Sequence, residues 1–159
     1  MDRVRIVVAL VSLVAVVACR ASAPPAKVES GGSYTPGLGE IMSLQQMRHT
    51  KLWFAGQAGN WLLADYEIKE LKEGFDDAVT LHPILEDAPL PIKDIVPKKV
   101  TVPLQDLAAA VRAQNRPKFD VAFDELTTAC NECHQAENFG FNVIQRPSSN
   151  PYANQTFVP

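Results

Sequence analysis

From Trp61 to His82 the apolar side chains fall at intervals of three, four, three, four, three and four: Trp61, Ala64, Ile68, Leu71, Phe75, Ala78 and His82. That spacing is the seam of an α-helix packed at a shallow angle against neighbours, and no strand satisfies it. The other faces carry Asp65, Glu67, Lys69, Glu70, Lys72, Glu73, Asp76 and Asp77, which read as a solvated surface. Asn60 stands in front as an N-cap.

The same periodicity recurs on both sides. Leu38, Ile41, Met42, Gln45, His49, Leu52 and Trp53 share one arc of a first helix from about Leu38 to Gly56, closed by Gly56 and Gly59. Pro83, Pro89, Pro91 and Pro97 suggest a long non-helical connection over 83–102. Pro103 then opens a third helix with Leu104, Leu107, Ala108 and Val111 inward. Asn115 and Arg116 form a tight turn, and Pro117 opens a fourth helix. Its inner face is Phe119, Ala122, Phe123, Leu126, Ala129, Cys130 and Cys133, to about residue 136. No segment alternates with period two. The expected fold class is all-α, an antiparallel four-helix bundle.

The N-terminal region reads differently. Arg3 and Arg5 precede thirteen residues, Ile6–Ala18, that are apolar apart from Ser12. Such a run is too short for a bilayer's roughly 30 Å core but suits an export signal. Two processing routes remain. Ala21-Ser22-Ala23 has the form of an ordinary cleavage site, with Pro24 hindering it; Val16-Val17-Ala18-Cys19 resembles a lipoprotein signal in which Cys19 carries the lipid. The second gives a signal peptide over 1–18 and a Pro/Gly-rich flexible tether over 19–37. A bundle domain over 38–137 and a tail over 138–159 packed on it complete the expected organisation. The destination is the periplasm, with membrane attachment through the lipid. A formal net charge of −3 without basic clusters argues against nucleic-acid binding.

The chemistry concentrates at Cys130-Asn131-Glu132-Cys133-His134. CxxCH is the attachment motif of c-type haem. Cysteines three apart on a helix project the same way, so both sulfurs reach the two vinyl-derived carbons of one porphyrin, and the adjacent histidine can ligate iron. A lone CxxC also serves thiol redox chemistry or half a zinc site. Here no second pair completes a tetrahedral site, and three cysteines divide into one for lipid and two for thioethers. The reading is one covalent haem c on Cys130 and Cys133, with His134 as proximal iron ligand.

Only 25 residues follow His134, and none is Met, His or Cys, so any sixth ligand comes from upstream. CxxCH ending the last helix of a four-helix bundle resembles the cytochrome c′ family, the class II c-type cytochromes. The resemblance covers roughly residues 38–137. It implies thioethers at Cys130 and Cys133, a proximal ligand at His134, and a first-helix residue over the distal face. The chain departs from the pattern at Asn138, where the family carries a basic residue, in the 83–102 connection, and in its tail.

His49 and Met42 are the distal candidates, seven residues apart on the inner arc of the first helix. His49 would give a bis-His centre and Met42 a His/Met centre. The plainer alternatives are a buried histidine hydrogen-bonded to Gln45 or another neighbour, and core packing for Met42. Met47 points elsewhere, and His82 reads as a helix-end residue. Arg48, Arg146 and Lys51 are candidates to pair with propionates. With no nucleophile–base–orienter set and no Gly-rich phosphate loop, an enzyme is not expected. The expected function is electron transfer with a periplasmic or membrane redox partner, a homodimer being left open. The alternative is a five-coordinate haem protein that binds or senses nitric oxide or carbon monoxide. A haem enzyme such as a peroxidase is a weaker third reading.

Overall fold

A two-residue turn and a three-residue turn organise the chain into two helical hairpins. A computed structural model describes residues 34–159, and from Thr35 onward these form one compact unit. The helices are α1, Leu38–Ala58; α2, Trp61–Leu81; α3, Ile92–Arg112; and α4, Arg116–Ala136. No strand occurs among the described residues, and the architecture is all-α with four helices. Gly59 ends α1 at φ 70°, a left-handed conformation open to glycine at little cost. The Asn60 side chain accepts from Leu63 N–H at 3.2 Å, and Asn115 caps α4 by accepting from Lys118 N–H at 3.0 Å.

α3 corrects the expectation of a non-helical connection over 83–102. It begins at Ile92, eleven residues before Pro103, and holds Pro97 and Pro103 inside it. Ile92, Ile95, Val96 and Val100 are buried and run on into Leu104, Leu107 and Val111 as one stripe. Each internal proline costs about 3 kcal/mol. Burying each of the four β-branched side chains returns about 1.5–3 kcal/mol, enough to offset the two prolines. Pro97 lies on the exposed side. The connection shrinks to residues 82–91. Glu67 corrects a second expectation: it is buried, only 2% exposed, whereas Lys69, Lys72, Glu73, Asp76 and Asp77 face solvent. Desolvation raises the Glu67 pKa, opposed by the nearby positive charge of Lys51.

α1 packs on α2, α2 on α3 and α3 on α4, while α1 and α4 meet mainly through large side chains. Trp53 lies 4.9 Å from Phe123 between ring centroids and 6.3 Å from Phe119; Trp61 adds an edge contact to Phe119. At Gly56 the helix comes so close to Phe119 that a Cβ would stand 2.2 Å from its ring. Phe119 is fully buried and has nowhere to retreat. Gly56→Ala is therefore expected to destabilise the bundle by about 1–3 kcal/mol, despite alanine's better helix propensity. A lower urea midpoint at unchanged slope is the measurement that checks it.

After α4 the chain turns back along the bundle without regular structure. Arg146 makes two contacts with the Asp124 carboxylate, at 3.0 and 2.5 Å, and lies over the Trp53 ring at 4.3 Å. Tyr152 sits under Lys51, and Phe157 is buried against Phe54. The tail thus spans from α4 to α1.

Candidate functional site

The last two turns of α4 present Cys130 and Cys133 on one side, half-buried against the core. Both thiols are free. Burial pushes the Cys130 thiol up to about 12, with the neighbouring Cys133 adding to it. Burial, then the Glu137 carboxylate, pushes Cys133 up to about 11. A thiol–disulfide catalyst needs the opposite shift, toward thiolate at neutral pH. Among the described residues no group of three or more His, Cys, Asp and Glu side chains converges as a metal cage. Burial therefore works against the redox reading of CxxC.

His134 is half-buried, and its Nδ1 donates to the Asn142 carbonyl at 2.6 Å. A carbonyl can only accept, so the proton lies on Nδ1 and the lone pair of the neutral ring on Nε2. Histidines that bind metal commonly have their second nitrogen held in this way. Two thiols on one helical turn and a histidine with its Nε2 lone pair available are the donors covalent haem c requires. The residues present fit that group.

Sequence reasoning missed the support around these donors. Asn131 Nδ2 donates to the Ile144 carbonyl at 2.8 Å, and Ile144 N–H donates to Asn131 Oδ1 at 2.7 Å. Glu137 is buried, with Leu90 N–H donating to its Oε2 at 3.4 Å; its Oε1 has no hydrogen-bond partner. Only the spacing of Glu137, four residues after Cys133, was available as a signal. Nothing in the one-dimensional pattern pairs Asn131 with Ile144.

On α1, His49 is 4% exposed and engaged elsewhere. Its ring lies 4.3 Å from that of Phe123, and its Nε2 is 2.8 Å from Thr127 Oγ1. The Thr127 hydroxyl donates to the Phe123 carbonyl at 2.9 Å, so it accepts from His49 and Nε2 carries the proton. Burial lowers the His49 pKa to about 4. Gln45, weighed as its partner, donates instead to the Leu71 carbonyl at 2.6 Å.

The pairs Gly56–Phe119, Trp53–Phe123 and His49–Thr127 define one antiparallel register. Carried two turns toward the start of α1, it brings half-buried Met42 level with His134, roughly 10 Å along the axis from His49. The propionate candidates have protein partners: Arg48 with Gln45 and Glu70, Arg146 with Asp124 and Trp53, and Lys51 over Tyr152. His82 is the C-cap of α2, its Nε2 2.8 Å from the Pro36 carbonyl, and Met47 is half-buried. A groove of about 340 Å³ lies between α2 and α3, lined by Ile68, Phe75, Val96, Val100 and Leu104, away from the cysteines. Cys19 and the 1–18 signal lie outside the described residues. No described helix is long and apolar enough to cross a membrane.

Compared with family models, curated proteins and solved structures, the chain matches none.

Proposed function

We propose that the protein is a periplasmic monohaem c-type cytochrome, tethered to a membrane through a lipid on Cys19, that transfers single electrons to or from a partner protein. The observation that carries this reading is the combination of Cys130 and Cys133 on one turn with His134, whose Nδ1 is held by a backbone carbonyl. When bound, haem supplies a one-electron couple between ferric and ferrous iron. Cys130 and Cys133 would hold it covalently and His134 Nε2 would be the proximal ligand. The Asn142 carbonyl keeps the proton on Nδ1 and the imidazole in one orientation. The core behind the cysteines covers their inner side. A resemblance to cytochrome c′ agrees with the motif's place at the end of the fourth helix.

On the distal side the register favours Met42 over His49, because His49 already spends its Nε2–H on Thr127 and lies two turns away. If Met42 also stays in the core, the sixth site is open, and gas binding replaces electron transfer as the function. One set of measurements on protein exported by a host competent in haem c maturation tests both steps. Intact mass is expected to show one added haem that survives acid–acetone extraction. Cys130→Ser/Cys133→Ser should lose that covalent haem entirely. The ferrous spectrum should be unchanged by carbon monoxide in the wild type and should shift rapidly in Met42→Ala. A wild type without covalent haem overturns the cytochrome assignment; a wild type that binds the gas at once selects the five-coordinate alternative.

A further inference from the structure

The residue between the two cysteines that sequence reasoning passes over is also the one that grips the tail. Asn131 spends one amide N–H and its Oδ1 on the same residue, the C=O and N–H of Ile144. A two-point bond of this kind fixes the partner peptide against both sliding and rotation. Asn142, whose carbonyl accepts from His134, is only two residues away, at most about 7 Å of extended chain. Side-chain burial does not hold this stretch: Phe139, Phe141 and Val143 are 43%, 82% and 70% exposed. Backbone bonds tie its near end to α4, Phe139 N–H donating to the His134 carbonyl at 2.7 Å and Asn142 N–H to the Phe139 carbonyl at 2.8 Å. Beyond Ile144 the next anchor is Arg146, paired with Asp124 and stacked on Trp53. The Asn142 carbonyl is thus held from two sides, by the turn before it and by the Asn131 clasp after it.

We propose that Asn131 is a positioning residue: by clasping Ile144 it holds the Asn142 carbonyl against His134 Nδ1, and so fixes the tautomer, orientation and basicity of that imidazole. The proposal rests on the reading of His134 as the proximal ligand. A carbonyl acceptor on Nδ1 makes the ring more electron-rich and favours ferric iron. Releasing it shifts the couple toward the ferrous form.

The test compares wild type, Asn131→Asp and Asn131→Ala as haem-loaded proteins. Asp keeps the acceptor for Ile144 N–H but loses the donor; Ala loses both. Midpoint potential should rise in Asn131→Ala; in Asn131→Asp the added negative charge acts the other way on the couple, so Nδ1 exchange is the readout for that variant. Solvent exchange of the His134 Nδ1 proton, followed by NMR, should accelerate on the order of ten-fold in Asn131→Ala. If Asn131→Ala does not fold, Ile144→Pro removes one bond from the tail's side without changing charge and should raise both readouts. Variants that carry covalent haem yet keep the wild-type potential and Nδ1 protection overturn the proposal. A wild type lacking covalent haem instead overturns the reading of the site. The clasp is then decided by Nδ1 exchange in the haem-free chain, where unchanged protection in Asn131→Ala refutes it.

Discussion

Phe123→Ala is expected to lower the unfolding free energy by about 3–5 kcal/mol, the largest effect of any single change considered. Phe123 is fully buried and stands where α4 meets α1, touching the Trp53, Phe119 and His49 rings. Its neighbours at this seam are themselves large packed rings, and a small shift of them does not fill a phenyl-sized cavity. Chemical denaturation should show a much lower midpoint. Phe123→Leu, which keeps most of the volume, should lose less than half as much. Equal losses in the two variants would place the energy in the aromatic contacts rather than in the filled volume.

Acid is expected to weaken the fold through His49, by about 3 kcal/mol in all. Burial holds the His49 pKa at about 4 in the folded protein, against an ordinary 6.5 when the chain is unfolded. Below pH 6.5 the unfolded chain takes up a proton that the folded protein refuses. Stability from the neutral buried ring is therefore full above about pH 6.5 and is lost as pH falls toward 4. Beneath pH 4 the folded form is protonated too, and this contribution levels off. His49→Gln should remove the pH-dependent part between 6.5 and 4, leaving whatever slope the carboxylates supply. The difference between the two proteins' stability–pH curves is the quantity to compare. Parallel curves would show that His49 does not resist protonation.

Three of the four helices were legible from their apolar spacing, with Gly59 marking the end of α1 and Asn60 and Asn115 the starts of α2 and α4. Asn60 and Asn115 were readable as punctuation, Asn60 as a cap and Asn115 as a turn, since each had a short polar side chain ahead of a periodic run. α3 was misread over its first half because Pro97 and Pro103 are strong local breakers, whereas the stripe through Ile92, Ile95, Val96 and Val100 acts only through α2 and α4. Glu67 was misplaced for a related reason: a charge among charges looks solvated until Lys51 on another helix is placed beside it. The donors of the candidate site lie within five consecutive residues and could be read directly. Their supports could not: Asn142 reaches His134, and Ile144 reaches Asn131, only through the topology of the tail.

The seam between α1 and α4 also has a consequence for the order in which the molecule assembles. Within each hairpin the contacts are between near neighbours along the chain and form early. The seam joins His49 to Thr127, 78 residues away, and Phe54 to Phe157, across nearly the whole folded unit. Loops of that length close slowly and late. The tail residues that orient His134 dock on a surface that exists only once the two hairpins have met. Until then Cys130, Cys133 and His134 lie on an open hairpin. The motif is accessible first, and its orienting carbonyl arrives last.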